Sequence, residues 1–477
     1  MKRRVTFVLT ILLLFVSSVP AFAMSAMSDE QSTAIQAFIE DARRVSRTPG
    51  ISVAVVVGDE THFFSAGVAN RETDILANED TLWRIGSSSK AFTSLGILYL
   101  EEQGLLSLGD SIAEHLPWLS FRYNGEAVDM QEVRLYHFMH HASGLSMIMN
   151  SDAGSIHDGV EAVIDAELSF YPGEGFAYAN ENTNILGLII EIVSEQNYET
   201  FMIERILHPL GMTDTFANDE SARATGRRAQ GYVTQFIFFT MERETSNAVA
   251  TTNMPTGFLV SSARDMARWM EVQLGLATDI PEIFHIIIPR SHVVGQNMAQ
   301  SDGSYYAAGW NVSADQSFIE HGGTNWGFGT NVYLFPEEQI GITVLSNLAG
   351  AHGTQSRPAG NIKDILDGNL SQSYSMLWTF QHLDVTFTVT TVLGIVLAVL
   401  FLLLGLRRRK QNERLPLTKK RMVLIAFWAV MAVAMAVPML LVSWLIFFIY
   451  SFLAMGIALA LLFGSVAWFV ASPRCTK

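Results

Sequence analysis

Apolar and polar residues alternate in ways that predict the elements of the fold. Residues 51–57 form a β-branched run, and after a turn at Gly58 a second run covers residues 62–68, so the two indicate an antiparallel hairpin. Four more strand-like runs come late in the chain, and Pro336 lies in the tight turn between the last two. These late runs cover residues 305–312, 318–321, 327–335 and 340–346.

Helical periodicity fills the region between the early and late strands. One helix is predicted from a cap at Ser28 or Asp29 to Arg44, and another begins near Ser87 and stops at Gly104. Because the strands flank this helical region, we expect both ends of the domain to share one antiparallel sheet flanked by helices, with a helical subdomain near residues 90–280. The predicted class is therefore α/β. Other predicted helices cover residues 132–140, 183–194, 201–207 and 263–274.

The N-terminus has the pattern of a secretory signal. Lys2, Arg3 and Arg4 precede an apolar run, and residues 21–23 form a small-x-small cleavage pattern. Residues 1–23 are therefore predicted to be a signal peptide, with an uncleaved anchor as the alternative.

The C-terminus has the pattern of a membrane region. Residues 385–406 carry no charge and give about 33 Å of helix, enough for a hydrocarbon core of about 30 Å. Residues 422–443 and 445–471 predict two further spans, and the basic loop 407–421 is expected in the cytoplasm. The sequence therefore predicts a bacterial inner-membrane protein with residues 24–384 on the extracytoplasmic side. A buried soluble core is the alternative for these apolar runs.

The composition and charge of the chain limit the kinds of molecule that it is expected to bind. The chain is 49% hydrophobic with a mean hydropathy of +0.25, and its net charge is −15. Basic residues concentrate at both ends, so residues 24–406 carry a net charge of −27, which makes nucleic acid a poor partner. The only cysteine, Cys475, excludes an intrachain disulfide. The expected partners are a small-molecule or peptide substrate and the lipid membrane.

Ser87 and Lys90 form the pattern S-x-x-K at the predicted start of a helix. Residues three apart share a helix face, so the lysine amine can take or relay the proton of the hydroxyl. Lys90 alone among the seven lysines has a serine three residues before it. The pattern predicts an activated serine nucleophile, and a solvated lysine near a helix end is the alternative.

Tyr178 and Asn180 form Y-x-N, which occurs at only one of the twelve tyrosines. The phenol of Tyr178 can move the serine proton if a positive neighbour such as Lys90 lowers its pKa. Core packing is the alternative for a lone tyrosine.

His321 begins the sequence His-Gly-Gly-Thr, which ends one predicted strand just before another begins. Glycine at 322 and 323 lets a ligand approach the backbone closely. The N–H of Thr324 can then join that of Ser87 as a donor to a substrate carbonyl.

Metal and cofactor chemistry are not predicted. His140 and His141 are adjacent, so they do not share a helix face, and no motif with metal-ligand spacing accompanies them. We therefore expect no metal ion and no cofactor.

In this order, the three motifs resemble those of the serine β-lactamase-related family, which includes class C β-lactamases, D-alanyl-D-alanine carboxypeptidases, esterases and D-amino-acid peptidases. The resemblance covers about residues 30–370 and includes His-Ala-Ser-Gly-Leu at 141–145 and Pro-Leu-Gly-Met at 209–212. It implies a β-lactamase-like fold, Ser87 as the acylated nucleophile, and Lys90 with Tyr178 as general base and acid. It also implies that Asn180 contacts the substrate.

The resemblance further implies substrate contacts along the late strand, at His321, Gly323 and Thr324. Many relatives have lysine at the position of His321, so the resemblance suggests a site that depends less on a substrate carboxylate.

The predicted export signal and three spans also resemble the membrane-anchored peptidases that remove an N-acyl-D-asparagine motif from nonribosomal peptides, such as the colibactin-maturing peptidase. Asn325 corresponds to an asparagine ligand in those enzymes. Asn253 lies about where they carry histidine, and Asn180 where they carry serine.

The sequence is therefore interpreted as an exported, membrane-anchored serine hydrolase that cleaves an amide or ester through an acyl-enzyme, with D-amino-acid peptidases and carboxypeptidases among the expected activities. A catalytically idle ligand-binding sensor with the same pocket is the alternative. A transporter is disfavoured because the predicted spans carry no charge.

Overall fold

The computed structural model describes most of the chain between residues 26 and 410. The described residues are 26–147, 153–235, 239–242, 247–295, 299–300, 302–325, 327–349, 358–373 and 378–410.

An eight-stranded sheet forms the centre of the described fold. Its order is β11-β12-β13-β14-β15-β1-β2-β3, and neighbouring strands are antiparallel. β1 (Gly50–Val57) lies between β2 (Glu60–Asn70) and β15 (Ile340–Ser346), with Ile51 opposite Ser346. The N- and C-terminal strands therefore share one sheet, as the hydrophobic pattern predicts. The other strands of this sheet are β3 (Ile75–Leu76), β11 (Tyr305–Tyr306), β12 (Asn311–Val312), β13 (Ile319–Asn325) and β14 (Phe328–Phe335).

Short strands form three smaller sheets. They are β4 (Trp83–Arg84) with β10 (Val260–Ser261); β5 (Phe121–Tyr123) with β6 (Glu126–Ala127) and β7 (Ala166–Glu167); and β8 (Tyr232–Gln235) with β9 (Phe239–Glu242) and β16 (Leu348–Ala349).

The α-helices of the described residues, numbered in chain order, are α1 (Asp29–Ser46), α2 (Ser89–Glu102), α3 (Ile112–His115), α4 (Leu135–Met139), α5 (Ile156–Glu161), α6 (Asn180–Ser194), α7 (Tyr198–Phe201), α8 (Asp219–Ala224), α9 (Asn247–Thr252), α10 (Met254–Gly257), α11 (Ala263–Gln273), α12 (Glu282–Ser291), α13 (Pro358–Leu366) and α14 (Trp378–Lys410).

Helices cover both faces of the sheet, which explains why every residue of β1 is buried. On one face, Phe38 of α1 and Ile362 of α13 pack in the same core as Val53. On the other face, Ala54 and Val56 belong to the larger core, which includes α2, α6 and α11. Successive side chains of β1 thus enter different cores, as the twofold repeat of a strand requires.

α2 lies inside the larger core, and most of its side chains are buried. Phe92 stacks on Trp269 of α11 with ring centroids 3.9 Å apart. A Cβ on Gly96 would lie 2.9 Å from a methyl carbon of Ile190, so α2 and α6 approach closely at this glycine. This packing fixes the N-terminal end of α2, where Ser87 and Lys90 lie.

Two strand predictions need correction. The run 305–312 is not one strand, because β11 and β12 form a hairpin in which Gly309 has φ +81°. A Cβ on Gly309 would lie 2.4 Å from the backbone of Ala91, so the chain turns where it meets α2. The run 318–321 is too short, since β13 continues through His-Gly-Gly-Thr to Asn325.

Within the described part of the chain, no helix has both the length and the apolar character needed to cross a membrane. The first predicted span, 385–406, falls within α14, whereas the predicted signal peptide and the second and third spans lie outside the described residues. The three predicted spans therefore have no support from the structure.

Candidate active site

Ser87 lies in the 3-10 turn Gly86–Ser88, directly before α2. Gly86 has φ +54°, and a Cβ there would lie 2.6 Å from the amide nitrogen of Thr324, so glycine allows β13 to pass against this turn. The next two serines are buried and bonded to backbone oxygens: Ser88 donates to His321 at 3.2 Å and Ser89 to Gly86 at 2.8 Å. Ser87 is the partly exposed hydroxyl of the three.

Lys90 is only 1% exposed, and its amine reaches Ser87. The Nζ atom lies 3.2 Å from Ser87 Oγ, and it donates to Asn180 Oδ1 at 2.9 Å and to the Thr256 carbonyl at 2.8 Å. Burial lowers the pKa of the Lys90 amine to about 7, against a smaller opposing effect from Glu181. An appreciable fraction of this amine is therefore neutral near pH 7, and a neutral amine can accept the serine proton.

Tyr178 lies beside both groups. The Ser87 side chain interacts with its phenol and acts to lower its pKa, and Lys90 Nζ lies 4.8 Å from the centroid of its ring. Burial raises the pKa of the Tyr178 phenol well above its usual value, and the interaction with Ser87 opposes this only in part. The condition set out from the sequence, that a neighbour such as Lys90 lowers this pKa, is therefore not met, because desolvation raises it. Tyr178 stays a neutral phenol.

Asn180 begins α6 and joins two elements of the site. Its Oδ1 atom accepts hydrogen bonds from Lys90 and, at 3.0 Å, from the Thr256 hydroxyl of α10. The structure thus groups four of the predicted residues, Ser87, Lys90, Tyr178 and Asn180, in one network.

β13 passes directly against the Ser87 turn. A Cβ on Gly323 would lie 2.0 Å from the Ile85 oxygen and 3.1 Å from the Ser87 nitrogen, so any side chain there would push the two backbones apart. The amides of Ser87 and Thr324 both lie at this backbone crossing. Two N–H groups beside a serine hydroxyl are the donors that an oxyanion needs.

His321 is fixed in its neutral form. Its Nδ1 lies 2.7 Å from the Gly322 carbonyl, which can only accept, so Nδ1 carries the proton; Nε2 then accepts from the Tyr306 hydroxyl at 3.0 Å. Burial, with a smaller effect from the nearby Lys90, lowers the pKa of His321 to about 3. His321 therefore offers no positive charge to a substrate at this position.

Asn325 and Asn253, the other two asparagines predicted to bind substrate, are more deeply buried than Asn180. Asn325 donates from Nδ2 to the Gly257 carbonyl at 2.6 Å and so joins the end of β13 to the end of α10. Asn253 is 1% exposed, donates to the Val249 carbonyl and accepts from Asn184. These bonds place Asn253 between α6 and α9, whereas the four grouped residues surround Lys90.

Sequence reasoning missed three contributors to this site. The Thr256 carbonyl is a backbone group, which no sequence pattern marks. Tyr306 looks like any strand aromatic, yet it fixes His321. The sequence places His141 in a family signature and disfavours it as a metal ligand, but assigns it no role in the site; its Nδ1 lies 2.8 Å from Asn182 Nδ2 and its ring centroid lies 4.5 Å from that of Tyr178.

Among the described residues, one group of side chains is close enough to share a metal ion. It consists of His157, Asp158 and Glu161, all exposed on α5. The tandem histidines His140 and His141 are not in this group.

A serine hydroxyl with a lysine amine, a phenol and two backbone amides around it has the parts of a serine hydrolase that forms an acyl-enzyme. The chain belongs to the Beta-lactamase family, whose model matches residues 35–367. It is accordingly a serine hydrolase of the β-lactamase-related type, with the predicted β-lactamase-like fold of an antiparallel sheet and helices.

Individual relatives agree with this assignment. The protein flp of Staphylococcus aureus (strain MRSA252) is 26% identical over 426 residues, which cover 87% of this chain and 82% of flp. A β-lactamase from Providencia stuartii is 25% identical over 367 residues, covering 70% of this chain and 90% of that protein. The solved β-lactamase/D-alanine carboxypeptidase from Pseudomonas syringae has a TM-score of 0.60 at 20% identity, over 72% of this chain and 99% of that one, which is a likeness of fold.

Proposed function

We propose that this chain is an exported, membrane-anchored hydrolase that cleaves an amide or ester through an acyl-enzyme on Ser87. The observation that carries the proposal is the Lys90 amine, whose pKa of about 7 lies near neutrality and whose Nζ is 3.2 Å from Ser87 Oγ. A general base is most effective when its pKa lies near the working pH.

In the proposed acylation, neutral Lys90 takes the proton of Ser87 while Oγ forms a bond to the substrate carbonyl carbon. The carbonyl oxygen becomes an oxyanion that accepts from the amides of Ser87 and Thr324. When the intermediate collapses, the bond to the leaving nitrogen or oxygen breaks. The leaving group takes a proton from the Tyr178 phenol, and the proton held by Lys90 restores that phenol. Water then releases the acyl group by the same steps in reverse order.

The high pKa of the Tyr178 phenol supports this division of roles. A phenolate would have to exist near pH 7 for Tyr178 to be the base, and desolvation opposes that. We therefore assign Lys90 as the base and Tyr178 as the acid, and treat their protons as coupled.

For the substrate, we propose amides or esters that carry no carboxylate next to the scissile bond. Neutral His321 offers no charge to such a group, and the strongly acidic domain disfavours anions. Peptides of D-amino acids and uncharged esters fit this description. β-Lactams and D-alanyl-D-alanine peptides, suggested by the names of relatives, carry a carboxylate and are expected to be poorer substrates.

Membrane anchoring is also part of the proposal. It is supported by the sequence of residues 385–406, a run of 22 residues without a charge. In a cell, protease added outside the inner membrane should digest the domain while a cytoplasmic marker stays intact; protection of the domain would contradict export.

The catalytic proposal is tested by mass spectrometry of the full-length protein after incubation with a fluorophosphonate, together with hydrolysis of uncharged esters and N-acyl-D-amino-acid amides. Wild type should gain one adduct on Ser87 and turn over at least one substrate class. Ser87→Ala should lose both. Ser221→Ala, an exposed serine on α8, is the matched control and should behave as wild type. The absence of an adduct would favour a ligand-binding sensor, and wild-type turnover by Ser87→Ala would remove Ser87 from the mechanism.

A further inference from the structure

His141 accepts hydrogen bonds from both residues that flank Tyr178 in the sequence. Its carbonyl accepts from the Ala177 N–H at 2.9 Å, and its Nδ1 accepts from the Ala179 N–H at 3.3 Å. The two amides that flank Tyr178 in sequence are therefore both bonded to one residue. His141 itself has φ +55°, so its backbone turns to present both acceptors to this segment.

Neighbouring polar groups fix the tautomer of His141. The Ser143 hydroxyl donates to Asn182 Oδ1 at 2.6 Å, which leaves Asn182 Nδ2 to donate to His141 Nδ1 at 2.8 Å. Since Nδ1 accepts from two N–H donors, the ring proton is on Nε2. All three side chains are at most 1% exposed, so losing the Nδ1 acceptor would leave two buried donors unsatisfied.

The ring of His141 contacts the aromatic groups of the site. Its centroid lies 4.5 Å from that of Tyr178 and 4.6 Å from that of Tyr306, the residue that bonds to His321. His141 thus limits the movement of the Tyr178 ring from one side, while its hydrogen bonds fix the backbone that carries this ring.

We propose that His141 is a positioning residue for the hydrolase reaction, and that its Nδ1 acceptor holds Tyr178 in hydrogen-bonding reach of Ser87. The inference rests on the proposed function, because Tyr178 must transfer a proton for its position to affect turnover. A displacement of about 1 Å at a reacting group can cost on the order of 10²-fold in rate.

Two substitutions of His141 test the contribution of its Nδ1 acceptor separately from that of its ring. His141→Asn keeps an acceptor near the position of Nδ1 and suits the left-handed backbone, but removes the ring. His141→Phe keeps the ring and removes the acceptor. Both are made in the full-length chain, and kcat is expressed per Ser87 that a fluorophosphonate labels at completion, so that unfolded protein is not counted.

We expect His141→Phe to lose roughly 30- to 100-fold in kcat with little change in KM, and His141→Asn to stay within about fivefold of wild type. Ser143→Ala, which frees the Asn182 amide to rotate, should lower kcat by a few fold in the same direction. A merely structural role would lower the melting temperature and the labelled fraction without changing kcat per labelled Ser87.

Equal kcat values for His141→Phe and wild type would overturn the inference, as would an equal loss in the Phe and Asn variants. Ser87→Ala is assayed in parallel to separate the two proposals. If Ser87→Ala remains active, the proposed function fails; if it is inactive while His141→Phe is fully active, only the role of His141 fails.

Discussion

The two sides of the Ser87 site are buried alike but differ in charge behaviour. On the α2 side, Lys90 is 1% exposed; on the β13 side, His321 is 3% exposed. Burial is the largest effect on both and lowers both pKa values, to about 7 for Lys90 and about 3 for His321. The ordinary pKa of lysine is higher than that of histidine. Desolvation therefore leaves Lys90 able to titrate near neutral pH, whereas it leaves His321 neutral at that pH.

This difference assigns separate tasks to the two sides. The α2 side holds an amine that can gain and lose a proton at working pH. The β13 side offers a neutral imidazole and a backbone that passes close to Ser87 at Gly323. Proton transfer thereby depends on the α2 side, whereas carbonyl polarisation also needs the Thr324 amide of β13, and substitutions on each side should have different signatures.

The largest effect is expected on the α2 side, from Lys90→Met. Loss of the base should reduce kcat/KM by about 10²- to 10⁴-fold. The variant should also be more stable than wild type at pH 6. Burial lowers the pKa of Lys90 from its ordinary value of 10.5 to about 7, so the folded protein holds a buried charge below pH 7. The resulting loss of stability shrinks as the pH rises from 7 to 10.5.

Melting temperatures of Lys90→Met and wild type at pH 6 and pH 9 test this prediction. The increase in melting temperature of the variant over wild type should be larger at pH 6. Lys363→Met is the matched control, because Lys363 is bonded to Asp367 and Glu338 and its pKa is raised. That variant should keep activity and lose a little stability. A Lys90→Met protein that is less stable than wild type at pH 6 would contradict the assigned desolvation.

A smaller effect is expected on the β13 side, from Gly323→Ala. The added Cβ would meet the Ile85 oxygen at 2.0 Å, so β13 must move away from the Ser87 turn and the two amides must separate. We expect a loss of about 10²-fold in kcat/KM. Gly322→Ala is the neighbouring control, because its Cβ meets Asn331 only at 3.6 Å, an ordinary contact. Similar activity in the two variants would remove the backbone crossing from the mechanism.

Sequence reasoning anticipated what depends on local spacing. Ser87 and Lys90 are three residues apart at a helix start, and the structure brings them into contact. The strand patterns at both ends of the domain correctly predict a shared sheet. Tyr178 was found by its motif, although nothing in the local pattern indicates its distance from Ser87.

What sequence reasoning could not supply depends on burial and on distant contacts. The sequence leaves the protonation state of Tyr178 open, because the desolvation that raises its pKa is a property of the folded surroundings. The neutrality of His321 depends on its burial, and its tautomer depends on the hydroxyl of Tyr306, which comes from another strand. Asn253 was singled out by its alignment with a ligand position, but its side chain bonds to Val249 and Asn184 in the interior.

The smallest effect is expected from substitutions at His321 and Tyr306, and it tests whether Lys90 or His321 is the group that titrates during catalysis. The activity should rise with pH through about 7, because only neutral Lys90 can act as base. A limb near pH 7 would ordinarily be assigned to a histidine. His321 already has a pKa of about 3 and is neutral over this range.

The limb should therefore stay near pH 7 in His321→Gln and in Tyr306→Phe. In both variants kcat/KM for an uncharged ester should change by about threefold or less, the scale of one lost neutral hydrogen bond. Profiles of kcat/KM from about pH 5 to 9 measure this. If the limb disappeared in His321→Gln, the titrating group would lie on the β13 side, and the division of tasks between the two sides would be reversed.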